Sequence, residues 1–387
     1  MHFPSGSRTA ALAVVAASAL ALPMATPAHA AAGDVATFGA NPFGQLANGE
    51  VGSTARPTPV GVLVGATDVA GGREHALAVV SGGVYAWGAD TKGAVGDGGV
   101  YEVAVNTPRR VGATVLLGID SVTTGHYHSM ALDTEAAAVW AWGWNSRGQT
   151  GPGGGTSLKT GAPVRVTGLT GDVSMIAAGR AHSLALVGGQ VYAWGDNGAG
   201  QLGSTADIAR HSTPTLVAGL PAGVTWIAGG RDSSFAIAGG VLYAWGSNNY
   251  GQLGIGSVST SVPTPTRVPG AFSQVESGAD HTVALTTGGT VSSWGRNRYG
   301  QLGYAGSANR TAPVLVPGLS GVTQVRVGRD HSTALTVGSY YTWGRNDGGQ
   351  LGLSPTATPS TSTPTAIADL AGVRDAGGGQ VYSVVLR

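Results

Sequence analysis

Residues 179–195 read Gly179-Arg180-Ala181-His182-Ser183-Leu184-Ala185-Leu186-Val187-Gly188-Gly189-Gln190-Val191-Tyr192-Ala193-Trp194-Gly195. Two short β-prone runs flank a Gly-Gly pair, the mark of a hairpin whose turn needs positive φ. One arm opens on Gly-x-x-His and a small polar residue. The other closes on an aromatic residue and glycine.

Both halves recur. Aromatic-Gly stands at Phe38-Gly39, Trp87-Gly88, Trp142-Gly143, Trp194-Gly195, Trp245-Gly246, Trp294-Gly295 and Trp343-Gly344. The alternating Gly-x-x-His motif begins at Gly72, Gly125, Gly179, Gly230, Gly278, Gly328 and Gly379, with Ser233 and Tyr382 replacing His in two copies. After the aromatic comes a segment such as Asn249-Tyr250-Gly251-Gln252-Leu253-Gly254, then a Ser/Thr/Pro stretch, then a short apolar run such as Val322-Thr323-Gln324-Val325. About four short strands in roughly 50 residues is the content of one propeller blade. The reading is therefore all-β: a seven-bladed β-propeller of four-stranded blades. The first aromatic-Gly half has no Gly-x-x-His before it and the last Gly-x-x-His half has no aromatic-Gly after it. Pairing these N- and C-terminal half-repeats closes the ring.

Composition fits a packed domain. Hydrophobic residues make up 42% and charged residues 11% of 387, and cysteine is absent, which excludes disulfides and thiolate metal sites. The formal net charge is +1 with no basic block, so nucleic acid is not an expected partner. At the N-terminus, Arg8, the apolar run 10–22, Pro23 and Ala28-His29-Ala30 have the order of a secretory signal. The expected division is a leader over 1–30, cleaved near Ala30, and one propeller over 31–387. The mature chain is expected to be extracellular, without a membrane anchor, and monomeric.

These motifs resemble the regulator of chromosome condensation repeat family across essentially all of the mature chain. In the family's nuclear exchange factor, the two residues between Gly and His help contact a small GTPase. Here those pairs are Arg73-Glu74, His126-Tyr127, Arg180-Ala181, Arg231-Asp232, Ala279-Asp280, Arg329-Asp330 and Gln380-Val381. A secreted β-lactamase inhibitor that looks like a reduced form of this propeller presents the same pairs, with the loop after Trp-Gly, as an aromatic-rich face; Tyr127, Tyr250 and Tyr299 match that habit. The resemblance does not by itself give a function; a rigid ring, the expected export without an anchor, and variation concentrated between the motifs point to a non-catalytic scaffold that binds a protein or cell-envelope partner through one face. The candidate contacts are Arg73, Glu74, His126, Tyr127, Arg180, Arg231, Asp232, Tyr250, Asp280, Tyr299, Arg329 and Asp330. No cofactor is expected. The alternatives are a secreted lyase or hydrolase with a cross-blade site, nucleotide exchange, and lactamase inhibition.

The repeated histidines His75, His128, His182, His281 and His331 are expected to be structural, each hydrogen-bonded within its own blade, because equivalent positions in a ring lie too far apart to share a metal. The motif tryptophans are expected in the core, leaving Trp140, Trp144 and Trp226 as surface candidates. Arg231-Asp232 and Arg329-Asp330 admit two readings, ion pairs that lock blades or a charged rim that meets a partner. No catalytic motif is present; Glu50, Glu102 and Glu276 do not recur in a pattern that pairs carboxylates.

Overall fold

A computed structural model describes residues 33–98, 101–112 and 114–387. The leader expected over 1–30 lies outside them. Among the described residues no helix is long and apolar enough to cross a membrane.

Five four-stranded antiparallel sheets and one seven-stranded sheet make up the fold. The larger sheet is two blades joined by one long strand, Gly52–Gly71. Its first part pairs with Gly33–Asn41, and its last part, Ala66–Gly71, pairs with His75–Val80. Counting that strand in both gives seven blades. Blade I continues through His75–Val80, Gly83–Gly88 and Val105–Val111, and blades II to VI follow in chain order. Blade VII takes Asp375–Gly378 and Tyr382–Leu386 from the C-terminus and Gly33–Asn41 from the N-terminus. The last two strands pair antiparallel from Val35 against Leu386 to Gly39 against Tyr382. The end motifs required this pairing.

Local sequence explains the blade. In blade III, Gly188 and Gly189 have φ of 55° and 79°, which suits the two-residue turn between His182–Val187 and Gln190–Gly195. The second strand is buried throughout, since neighbouring blades cover both of its faces, whereas the outer strand His211–Leu216 is largely exposed. The apolar core consequently lies between blades. Trp245 of blade IV packs with Leu184, Ala193 and Val217 of blade III, and Trp294 of blade V packs with Phe235 and Leu242 of blade IV. After each of these tryptophans, glycine is obligatory. Gly246 has φ of 101°, and a Cβ there would lie 2.5 Å from the Asp232 carbonyl oxygen.

Each histidine bridges to the next blade, which corrects the expectation of a bond within its own. His75, His128, His182 and His281 place Nε2 3.0 Å from Oγ of Ser129, Ser183, Ser234 and Ser332, and His331 lies 3.1 Å from Ser383. The serine is committed elsewhere as a donor. Ser234 Oγ donates to the Gln201 carbonyl at 2.7 Å, and that same oxygen accepts Trp245 Nε1 at 2.9 Å. With its one proton so used, the hydroxyl accepts from imidazole Nε2–H, which fixes the neutral tautomer. Burial holds His182 down to about 4 and His128 down to about 3, so the rings are neutral at ordinary pH.

The two departures from histidine differ at their own junctions. Where Tyr382 replaces His, the next blade has Ala76 instead of Ser, and the phenol reaches past it to donate to the His75 carbonyl. Where Ser233 replaces His, Thr282 Oγ1 of the next blade lies instead 3.1 Å from Ser277 Oγ of its own blade, so this junction has no such side-chain bond across it among the described residues.

Candidate functional site

The first residue of every inter-motif pair lines a central channel of about 260 Å³: Arg73, His126, Arg180, Arg231, Ala279, Arg329 and Gln380. Backbone hydrogen bonds link these positions from blade to blade. His126 N–H donates to Arg180, Arg180 to Arg231, Arg231 to Gly278, Ala279 to Arg329, Arg329 to Gly379 and Gln380 to Arg73, at 3.0–3.3 Å. Six of the seven N–H groups at the ring mouth are thus engaged by main chain, and the side chains there are left for other work.

Above the channel is a funnel of about 430 Å³ walled by Arg73, Arg147, Arg180, Arg231 and Arg329 with His126, Tyr127 and Trp144; Asp196 is its one carboxylate. Burial, and then the charges of Arg73, Arg180, Arg231 and Arg329, lower His126 to about 3. Four guanidiniums therefore act on one imidazole, and the mouth is electropositive although the chain is nearly neutral.

Tyr127 and Ala181 apart, the second residues of the pairs do not line the funnel, and the acidic ones pair with arginines. Asp232 binds Arg180 Nε at 2.8 Å across the blade III–IV junction and stands 3.6 Å from Arg231 Nε. Asp280 and Asp330 are buried against Arg296 and Arg345 at 3.1 and 3.4 Å, and burial raises the Asp280 carboxyl. Glu74 lies 3.3 Å from Arg73 Nε, whose ring neighbour Gln380 accepts from that nitrogen at 2.7 Å. Of the two readings of the Arg-acid pairs, Arg180–Asp232 follows the first and crosses between blades, whereas Arg231–Asp232 and Arg329–Asp330 stay within one blade.

A rim surrounds the funnel, and most of its residues were not singled out from sequence. The fifth residue after one blade's aromatic meets the second residue after the next blade's aromatic. Lys92 lies 4.4 Å over the Trp144 ring, Arg147 pairs with Asp196 at 3.2 Å, Arg296 stacks 5.0 Å from Tyr250, and Arg345 stacks 5.1 Å from Tyr299. The remaining combinations, Phe43 with Ala89, Ala199 with Ser247 and Gly348 with Ala40, contain at least one small residue. The couples show only when offsets are compared between neighbouring repeats. Tyr250 and Tyr299 accordingly serve as platforms for arginines, and Tyr127 does the same for Arg73 at 5.2 Å.

The three non-motif tryptophans divide differently from expectation. Trp140 packs against the blade I core, Trp226 lines the channel and donates to the Val275 carbonyl at 3.0 Å, and Trp144 alone reaches the funnel. Deeper in the channel, Arg326 of blade VI holds Glu276 at 3.3 Å and Asp375 at 3.0 Å.

Comparison with known proteins agrees with this architecture. The chain is 35% identical over 267 residues to the probable E3 ubiquitin-protein ligase HERC6 of Homo sapiens, covering 65% of this chain and 25% of that protein. It is 33% identical over 297 residues to the ultraviolet-B receptor UVR8 of Arabidopsis thaliana, covering 74% and 66%. It therefore spans only part of these relatives, a quarter of the first and just under two thirds of the second. The structure of human WBSCR16 superposes with a TM-score of 0.80 at 25% identity, covering 91% of this chain and 99% of that one. A family model described as the RCC1-like domain matches residues 26–385, and with its seven blades and repeated motifs the chain belongs to that family.

Proposed function

We propose that this chain is a non-catalytic scaffold, exported from the cell, that binds a protein partner on the face bearing the funnel and its rim. One observation carries the reading. The repeated His, Ser and Trp side chains are used at blade junctions, while the positions that differ from blade to blade converge on this single face. A rigid ring with a variable, arginine-rich and aromatic surface suits recognition, since Arg and aromatic residues are the commonest energetic anchors of interfaces.

The test uses capture from culture supernatant and cell envelope by the tagged chain, with a variant carrying Tyr250→Ala, Tyr299→Ala and Arg147→Ala. The variant is expected to stay folded and lose the enriched protein. Retention of that protein by the variant would move the docking surface elsewhere, and turnover of a polysaccharide by the purified chain would overturn the non-catalytic role.

A further inference from the structure

We infer that the ring mouth is a carboxylate-binding notch, in which an acidic peptide segment of the partner enters over Ala279 and is held between the guanidinium forks of Arg231 and Arg329. This rests on the binding role proposed above and names what the partner presents.

Around the mouth, Arg231 of blade IV and Arg329 of blade VI flank Ala279 of blade V, the smallest residue in the ring of seven. Both arginine side chains are well exposed, at 45% and 40%. Their ion-pair contacts, made through Nε, are long, 3.6 Å to Asp232 and 3.5 Å to Asp330. Those carboxylates have other partners: Asp232 accepts a 2.8 Å bond from Arg180, and Asp330 is shared with Arg345. Among the described residues neither the Arg231 nor the Arg329 guanidinium makes a hydrogen bond, so both planar forks line the funnel with their donors open, although Asp232 and Asp330 stand beside them and the Arg231 charge also acts on Asp280. A side chain longer than alanine at position 279 would occupy the space between them.

The chemistry favours a carboxylate over a polyphosphate. A guanidinium fork matches the two oxygens of a carboxylate, and two forks suffice for one or two such groups. A polyanion needs a broad uncompensated basic field, whereas here Glu74, Asp232 and Asp330 stand directly behind the arginines. The shape favours a peptide. The funnel of about 430 Å³ opens onto a channel whose wall includes Ala177, Ala228, Gly229 and Gly377, small residues that leave room for an extended chain. Since the main-chain N–H groups of Arg231, Ala279 and Arg329 are engaged around the ring, recognition at the notch falls to the arginine side chains.

The experiment is calorimetric titration of the full chain with a short end-blocked Glu-Gly peptide, its Gln-Gly counterpart, and inorganic phosphate, against wild type and R231Q/R329Q. The acidic peptide is expected to bind wild type, the Gln peptide and phosphate to bind far more weakly, and the double variant to lose roughly tenfold or more in affinity at an unchanged melting temperature. On peptide binding the His126 imidazole resonance should titrate at higher pH, because an added anion offsets the surrounding guanidiniums. Equal binding by R231Q/R329Q, equal binding of the Gln peptide, or phosphate binding as tight as the acidic peptide would each overturn the notch. If the rim variant loses a captured partner while no acidic peptide binds, the docking face stands and the notch falls. If the peptide binds and the rim variant keeps its partner, the notch stands and the wider docking face falls.

Discussion

Every buried imidazole in this ring is matched to one hydroxyl on the neighbouring blade, and that match can be broken one atom at a time. Ser234→Ala removes the acceptor of His182 Nε2–H and one donor to the Gln201 carbonyl. A buried donor left unsatisfied costs about 1–3 kcal/mol, so urea unfolding should show a loss of that size. Acid should act on all five junctions together. The unfolded histidines protonate below their ordinary 6.5, whereas the folded ones are held to about 3 or 4. The unfolded chain thus binds more protons in this window. Stability is complete above about pH 6.5 and falls toward about 4, by roughly 1.4 kcal/mol per pH unit for each histidine. Thermal melts from neutral to pH 4 should drop steeply, and a flat profile would contradict the buried neutral rings. The structural role of these histidines was legible in the repeat, but their partners were not. His182 and Ser234 are about one period apart, and a period alone does not tell a bond inside a blade from one to the next.

At the scale of the loops, the rim couples are chemically varied but occupy one geometric position: cation on aromatic, cation against carboxylate, or a pair with at least one small residue. Because Arg147 is well exposed, its pair with Asp196 should contribute less than about 1 kcal/mol, and Arg147→Ala should leave the melting temperature nearly unchanged. A double-mutant cycle of Arg147→Ala with Asp196→Asn should read that small coupling apart from the bonds Asp196 also makes with Arg180 and Gln201. The strands and their order could be read from the two alternating half-motifs, since hairpin turns and glycines recur at fixed offsets. The couples could not, because the two members of each lie in different repeats and nothing in a single repeat marks them as partners. Asp280 and Asp330 looked available for recognition for a different reason: Arg296 and Arg345, two residues after the aromatic of the same hairpin, cover them, and a sequence does not show which way those arginines turn.

Across the whole molecule, the stitched blade makes the two described ends neighbours. Asp34 N–H donates to the Arg387 carbonyl at 2.8 Å, and Arg387 N–H donates back at 3.0 Å. Joining residue 33 to 387 by a short linker and opening the chain at the Gly188-Gly189 turn should give a folded protein with the parent's circular dichroism. Removing residues 379–387 should instead leave Gly33–Asn41 paired on one side only and the ring open at an exposed edge. Size-exclusion chromatography should then report aggregation. The same seam governs when the fold can be completed. The strand Tyr382–Leu386 follows every other strand in the chain, yet it must find residues 35–39 some 350 positions upstream. Closing a loop of that length costs about 5 kcal/mol in chain entropy, most of which falls away if the intervening blades have already stacked into an arc. Folding is therefore expected to run blade upon blade and to finish late, with the two raw edges of blade VII the last to be protected.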